Sequence, residues 1–199
     1  METTNVFFKS IYNHASFSQE EIDKIAKSHK KVEFAKGEIF LKIGHTANEF
    51  FILKDGLFRS CAYDFNGNEI TTGFFVPGEI MIEPSSLFQR KPSVENHISL
   101  AGGIAWKIGY DDFQRLFHEM EGVREWGRAW MANQLFAAKQ RLMDITTKSA
   151  AERYLMLLNS KPEVIKQAPL KYIASYLGIT DTSLSRIRKE INSNKDFLS

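Results

Sequence analysis

The stretch IASYLGITDTSLSRIRKEI, residues 173–191, decides how this chain is read. As a single helix it fails, because Gly178 and the following Ile179-Thr180-Asp181 interrupt it. As two helices joined by a tight turn, it gives every apolar residue a place. A first helix over Leu170–Leu177 sends Ile173 and Leu177 to one face at i, i+4 spacing. A second helix over Asp181–Ile191 does the same with Leu184, Ile187 and Ile191. Ala174 is small where two helices cross closely. Gly178 supplies the left-handed backbone that a short turn demands, and Ile179 plugs the corner. Thr180 can cap the second helix, and Asp181 suits its positive end. The pattern predicts a helix-turn-helix, whose second helix enters the major groove of DNA.

The outer face of that second helix is Asp181, Thr182, Ser183, Ser185, Arg186 and Lys189, with Arg188 at its edge. It is short and polar at its start and basic toward its end. Arg186 can reach guanine O6 and N7 as a bidentate pair. Ser183, Arg188 and Lys189 are placed for phosphates. Asp181 can accept from a cytosine amino group, or repel phosphates. With the capping Thr180, these eight residues form the predicted DNA interface.

Charge agrees with this. The net charge of +2 conceals an asymmetry. Residues 1–138 hold 15 Lys/Arg against 18 Asp/Glu, or −3, whereas residues 139–199 hold 11 against 6, or +5. A basic C-terminal third is what attraction to a phosphate backbone needs.

Upstream, DDFQRLFHEM and VREWGRAWMANQLFAAKQRLMDI read as helices. The longer one has two apolar stripes. Val123, Trp126, Trp130 and Ala137 form one; Met131, Leu135, Ala138, Leu142 and Ile145 form the other, at 4-3-4-3 spacing. A helix with two apolar sides must bury both. One stripe can cover the preceding domain, and the other fits the same helix of a second copy in a two-fold dimer. Thr146–Ser149 reads as a break, and AAERYLMLLN as a further helix ending before Pro162.

From residue 31 to about 110 short β-prone runs alternate with turn signals at Gly37, Asp55-Gly56, Asn66-Gly67, Pro77-Gly78 and Gly102-Gly103. Many short strands with regular turns predict a sandwich or jelly-roll barrel. Its aromatics (Phe34, Phe40, Phe50, Phe51, Phe58, Phe74, Phe75, Trp106) read as core. Before it, SFSQEEIDKIAKSHK reads as an amphipathic helix capped by Ser18.

Composition excludes several classes. No window approaches the ~20 apolar residues of a membrane span, and no secretory signal pattern opens the chain, so a cytoplasmic protein is expected. Cys61 is the only cysteine, which rules out an internal disulfide and an all-cysteine metal or iron–sulfur site within one chain. His14, His29, His45, His97 and His118 show no metal spacing. His118-Glu119-Met120-Glu121 lacks the second histidine of a zincin motif, and His45 and Glu49 have no recurring histidine partners. No cofactor, metal or catalytic group is expected, and the chain does not read as an enzyme.

A β-roll, a long dimer-type helix and a helix-turn-helix, in that order, resemble the CRP/FNR superfamily of bacterial transcription regulators. The resemblance runs from about residue 14 to 192. It rests on GEIFLKIGHTANEFFILKDGLFR (37–59), FFVPGEIM (74–81) and IASYLGITDTSLSRIRKE (173–190). The texture is similar to Bacteroidetes members. The resemblance implies an α+β fold: an N-terminal double-stranded β-helix of jelly-roll, cyclic-nucleotide-binding-like type (1–120), a central dimerisation helix and hinge (121–146) and a C-terminal (winged) helix-turn-helix domain (147–199). It implies double-stranded DNA, a second copy held through residues 123–145, RNA polymerase and a small effector as partners, with no membrane contact.

In that family the roll binds an effector, often cyclic AMP, through a cassette that begins Gly-Glu; Gly78-Glu79 match. An Arg followed by a small residue should hold the cyclic phosphate. Aligning backward from AWKIGYDDFQRLF puts Val94-Glu95 there, and a carboxylate repels a phosphate. Counting forward from Glu79 reaches Arg90, followed by Lys91. The candidate effector region is therefore Phe75, Glu79, Ile80, Arg90 and Glu95, which takes a ligand other than cyclic AMP or, in a packed roll, none. Well-known members carry Arg and Glu where Asp181 and Thr182 stand; Arg186 matches. The expected function is a homodimeric, sequence-specific regulator. The alternative is a signalling or interaction module of the same fold that does not bind DNA, which salt dependence and sequence preference would separate.

Overall fold

The computed structural model describes residues 2–14 and 17–195. Two helices, α1 (Glu2–Ile11) and α2 (Gln19–Ser28), precede the strands β1 (Lys30–Phe34), β2 (Ile39–Leu41), β3 (Glu49–Tyr63), β4 (Glu69–Phe75), β5 (Ile80–Met81) and β6 (Asn96–Gly109). Helix α3 (Pro84–Gln89) lies between β5 and β6. Helices α4 (Tyr110–Glu119), α5 (Glu121–Thr147), α6 (Ala150–Ser160), α7 (Pro162–Gln167), α8 (Leu170–Leu177) and α9 (Asp181–Lys195) complete the chain. No helix of the described residues is long and apolar enough to cross a membrane.

The strands form one antiparallel system in the order β1-β6-β3-β4, with β2 on β6 and β5 on β3. Alternation along β3 sends Phe51, Leu53 and, past a bulge, Phe58 inward with Phe34, Met81 and Ala105. Phe40 meets Phe34, Phe51 and Phe58 edge-on. This is the jelly-roll-like unit predicted from the sequence.

Two expected turns are instead close crossings. Asp55-Gly56 and Gly102-Gly103 lie inside β3 and β6, which run through them with register shifts between Leu53 and Phe58. A Cβ on Gly103 would stand 2.1 Å from the Asp55 carbonyl, and one on Gly56 3.0 Å from that of Gly102. The glycines serve a bulge where two backbones meet, not a chain reversal. The Asn66-Gly67 turn does join β3 to β4, with Gly67 at φ 80° and the Asp64 carboxylate accepting from Asn66 and Asn68.

Helices α1, α2, α4 and the first half of α5 share a core with the outer face of the roll: Phe8, Tyr12, Ile22, Ile25, Phe50, Ile80, Phe113, Leu116, Val123 and Trp126. Helix α1 was not foreseen. Its Phe8 and the following Tyr12 are fully buried, and the Ile11 carbonyl accepts from the Trp126 indole at 2.9 Å. Ser18 caps α2 in a complete capping box with Glu21. His29 at its end is buried, donates from Nδ1 to the Ile25 carbonyl at 2.8 Å and has Nε2 3.2 Å from the Tyr12 hydroxyl. Burial lowers its pKa to about 4, against the raising effect of the Ile25 bond.

Helices α6 to α9 form a second unit that is not detached from the first. Leu57, Phe74 and Leu100 of the roll share a core with Tyr154, Leu157, Val164, Ile173, Ala174, Leu177 and Leu184. Among the described residues after β6 the regular elements are all helices, so no wing strands flank the helix pair there. The nine residues between α6 and α8, Lys161–Pro169, are taken up by α7, which Pro162 starts.

Candidate nucleic-acid interface

The helix pair is built by local signals. Gly178 ends α8 at φ 68°; its N–H reaches the Ser175 carbonyl at 3.1 Å and that of Ile179 reaches Ala174 at 3.0 Å, closing the helix end. Thr180 accepts from the Ser183 N–H at 3.2 Å, so it caps α9 as expected. Helix α9 runs four residues beyond the predicted end, to Lys195. Ile173, Ala174, Leu177 and Leu184 are buried, and Ile179, Ile187 and Ile191 pack against them.

That packing leaves the opposite face of α9 outward. Thr180, Asp181, Thr182, Ser185, Arg186 and Lys189 are exposed, and Ser183 and Arg188 half-buried. The Ser185 hydroxyl donates back to the Asp181 carbonyl at 2.9 Å, so its oxygen rather than its proton faces out. Among the described residues Arg186, Arg188 and Lys189 form no ion pair with a carboxylate. Arg186 and Lys189 on that face and Arg188 at its edge, without a carboxylate partner among the described residues and beside a helix start carrying short side chains, suit a polyanion with a groove.

The unit is held against the roll by a polar seam along β4, an edge strand whose outer backbone groups need partners. The Thr71 N–H donates to the Ser175 hydroxyl at 2.8 Å. Arg141 of α5 donates to the Thr72 carbonyl, reaches the Tyr176 carbonyl at 3.4 Å and lies 3.9 Å over the Tyr176 ring. Lys161 donates to the Phe74 carbonyl at 2.6 Å and to the Glu79 carboxylate at 2.7 Å. Arg59, only 1% exposed, pairs with Glu69 at 2.6 Å and stacks 3.5 Å from the Tyr172 ring centre. Of these residues the sequence singles out only Glu79, as an effector residue, and Phe74, as core; the seam itself was not foreseen. A buried arginine in a strand is a signal in hindsight, but its partner ring lies in another unit.

Cys61 sits beside Arg59 and Glu69, and burial pushes its thiol up to about 11, so it is protonated at neutral pH. Among the described residues no group of three or more His, Cys, Asp or Glu side chains is placed to hold a metal.

The five expected effector residues part company. Phe75, Glu79 and Ile80 line one cavity of about 410 Å3, together with residues of α1, Trp126, Trp130, Asn133 and Gln134 of α5, and Lys161. Arg90 is elsewhere: it ends α3 at φ 56° and donates to the Ala47 carbonyl at 2.7 Å and to Asn48 at 2.5 Å. Its reach is spent on backbone rather than on the cavity. Glu95 faces His97, 3.7 Å away. Burial alone would raise its carboxyl, but His97, the Thr72 hydroxyl and the charge of Arg141 outweigh this and hold it below the usual range. Sequence reasoning missed Lys161 and the two α5 amides.

Residues 31–120 match the model of the cyclic nucleotide-binding domain family. The chain is 21% identical over 179 residues to the fumarate and nitrate reduction regulatory protein of Vibrio cholerae, covering 84% of this chain and 70% of that one. Among solved structures it is similar to FixK2 from Bradyrhizobium japonicum, with TM-score 0.71 and 16% identity over 84% of this chain and 86% of that one. It is also similar to a crp/fnr-family putative transcriptional regulator from Eubacterium rectale, with TM-score 0.68 and 15% identity over 89% and 85%.

Proposed function

We propose that this chain, a transcriptional regulator of the CRP/FNR superfamily and not an enzyme, binds a two-fold symmetric DNA site as a homodimer. The observation that carries this reading is the outer face of α9. It is fixed by Gly178 and Thr180, turned away from the shared core, and it presents Arg186, Arg188 and Lys189 without carboxylate partners among the described residues. Arg186 reads a base edge; Ser183, Arg188 and Lys189 hold phosphates.

The dimer reading rests on α5. Met131, Leu135, Leu142 and Ile145 of the predicted second stripe are exposed, and Phe136 and Met143 beside them are exposed too. A second copy of the helix covers them, and a two-fold pair of α9 helices then meets two half-sites. RNA polymerase is the further partner of such a regulator. A kinship with Bacteroidetes members rests on the TDTSLSRIRKE texture alone.

A small effector binds at the roll, in the cavity at Phe75, Glu79 and Ile80. Cyclic AMP is disfavoured because Arg90 is committed to Ala47 and Asn48, and the position aligned with the phosphate-holding arginine is followed by Glu95.

Selection of bound DNA from a random duplex pool at moderate salt, with and without cyclic AMP, tests the reading. A symmetric enriched site, unchanged by the nucleotide, with affinity falling steeply with salt, is the expected result. No enrichment in either condition favours an interaction module that keeps the fold without reading DNA.

A further inference from the structure

We propose that the cavity between α1, the β4–β5 turn and α5 takes a small organic primary ammonium, which competes with Lys161 for Glu79. This deepens the effector reading above and rests on it. An ammonium already occupies the acceptors in question. Lys161 Nζ donates to the Glu79 carboxylate at 2.7 Å and to the Phe74 carbonyl at 2.6 Å. Both groups are pure acceptors converging on one cation. The Glu79 carboxylate is itself positioned, since the same oxygen accepts the Val76 N–H at 3.0 Å across the turn that Gly78 makes at φ 90°.

The adjoining space has the shape and chemistry for the rest of such a molecule. Its volume of about 410 Å3 is within the range of small-molecule sites. Trp126, Trp130 and Phe75 supply aromatic walls, which favour a cation and its apolar skirt. Asn133 and Gln134 offer amides to a polar end. An anion would meet the Glu79 carboxylate while Lys161, the one Lys or Arg lining the cavity among the described residues, is already paired with it. A neutral ring would leave the Lys161–Glu79 pair intact. A cation alone replaces what is there.

The consequence follows from where the groups belong. Glu79 and Phe74 are in the roll, whereas Lys161 stands at the α6–α7 junction of the DNA-binding unit. A free ammonium that takes these acceptors ends the one ion pair that joins the two units among the described residues. The seam along β4 then keeps Arg59–Tyr172, Thr71–Ser175 and the Arg141 bridge, and it is loosened at its Phe74 end. Coupling is reciprocal: a tightly docked unit weakens the amine, and the amine weakens docking.

The test titrates the full chain with phenethylammonium chloride, following tryptophan fluorescence. Uncharged 3-phenylpropan-1-ol, anionic 3-phenylpropionate and cyclic AMP are run alongside. The expected result is a saturable change with the amine alone. Lys161→Met should tighten it by about tenfold, because the internal competitor is gone. Glu79→Gln should abolish it while circular dichroism stays native. The amine should also speed hydrogen exchange at the Thr71 amide, whose bond to Ser175 spans the same seam. Equal binding of the alcohol, or Lys161→Met binding the amine no better, overturns the proposal. Saturable binding of 3-phenylpropionate or cyclic AMP without the amine overturns the ammonium class and leaves the effector reading standing. Silence from all four probes overturns both.

Discussion

Both halves of α5 carry large apolar side chains, and they end in opposite surroundings. In the first half Val123, Trp126 and the glycines 122 and 127 are buried. Tyr12 lies 4.3 Å from the Trp126 ring, and Gly127 leaves room for Phe117, whose ring would come within 3.3 Å of a Cβ there. In the second half Leu135 is 68% exposed, Phe136 66% and Leu142 63%. The difference lies in what stands opposite. The first half faces α1, α4 and the roll of its own chain. The second meets its own chain chiefly through Arg141, on Thr72 and Tyr176, and at the buried Asp144. Hydrophobicity states that a surface must be covered; it does not say by which molecule. A contiguous bare apolar strip is a surface awaiting a partner, and the heptad-like spacing of its residues fits a second copy of the same helix.

The largest effect expected from breaking this contrast is at Leu135. Leu135→Glu places an unpaired carboxylate in the proposed seam of both subunits, at several kcal/mol for each buried charge. The variant should sediment as a folded monomer over concentrations where the parent is a dimer, with its thermal transition intact. A variant that still sediments as a dimer would move the interface to another surface. Trp126→Ala is the mirror experiment. It empties a buried site in the first half and should cost ~3–5 kcal/mol in denaturant unfolding. Measured in the Leu135→Glu background, that loss should persist, since the site is filled by the chain itself.

The two halves also differ in how far the sequence foretells them. The stripes of α5 were legible because a helix repeats its faces locally. The helix-turn-helix was legible for the same reason: Ala174, Gly178 and Thr180 each act within four residues. The seam along β4 was not. Lys161 and Glu79 are 82 residues apart, and neither position carries a local mark of the other. Arg90 looked free for a ligand, but it closes the end of α3, a helix short enough to leave no periodic signal. Gly56 in β3 and the Gly102-Gly103 pair in β6 misled because a glycine that admits a neighbouring backbone and one that turns the chain are identical in sequence.

Acid should sharpen the contrast on the first half alone. His29 shares Tyr12 with Trp126, and burial lowers its pKa from 6.5 to about 4. Between those values the unfolded chain binds the proton and the folded one does not. The stability from a neutral His29 is therefore present above pH 6.5 and is lost as pH falls toward 4, by about 3 kcal/mol in full. Unfolding midpoints measured across that range should slope accordingly, and His29→Gln should flatten the slope. Dimer dissociation should not follow His29, because the second half of α5 has no contact with it.

Arg186→Ala carries the smallest expected energy, and it extends the comparison to α9. Under the proposed function the outer face of α9, like the second half of α5, is completed by another molecule. Truncating Arg186 should therefore leave the unfolding midpoint and the dimer unchanged. It should cost ~1–3 kcal/mol in DNA binding and relax preference at a single base pair of each half-site. Affinities for a panel of singly substituted sites, at one fixed salt concentration, provide the measurement. Lys189→Ala supplies the contrast, since a phosphate contact should weaken all sites alike and reduce the salt slope by about one. If both variants lower every site equally, Arg186 holds the backbone, and base reading passes to the short residues Thr182 and Ser185 at the start of the helix.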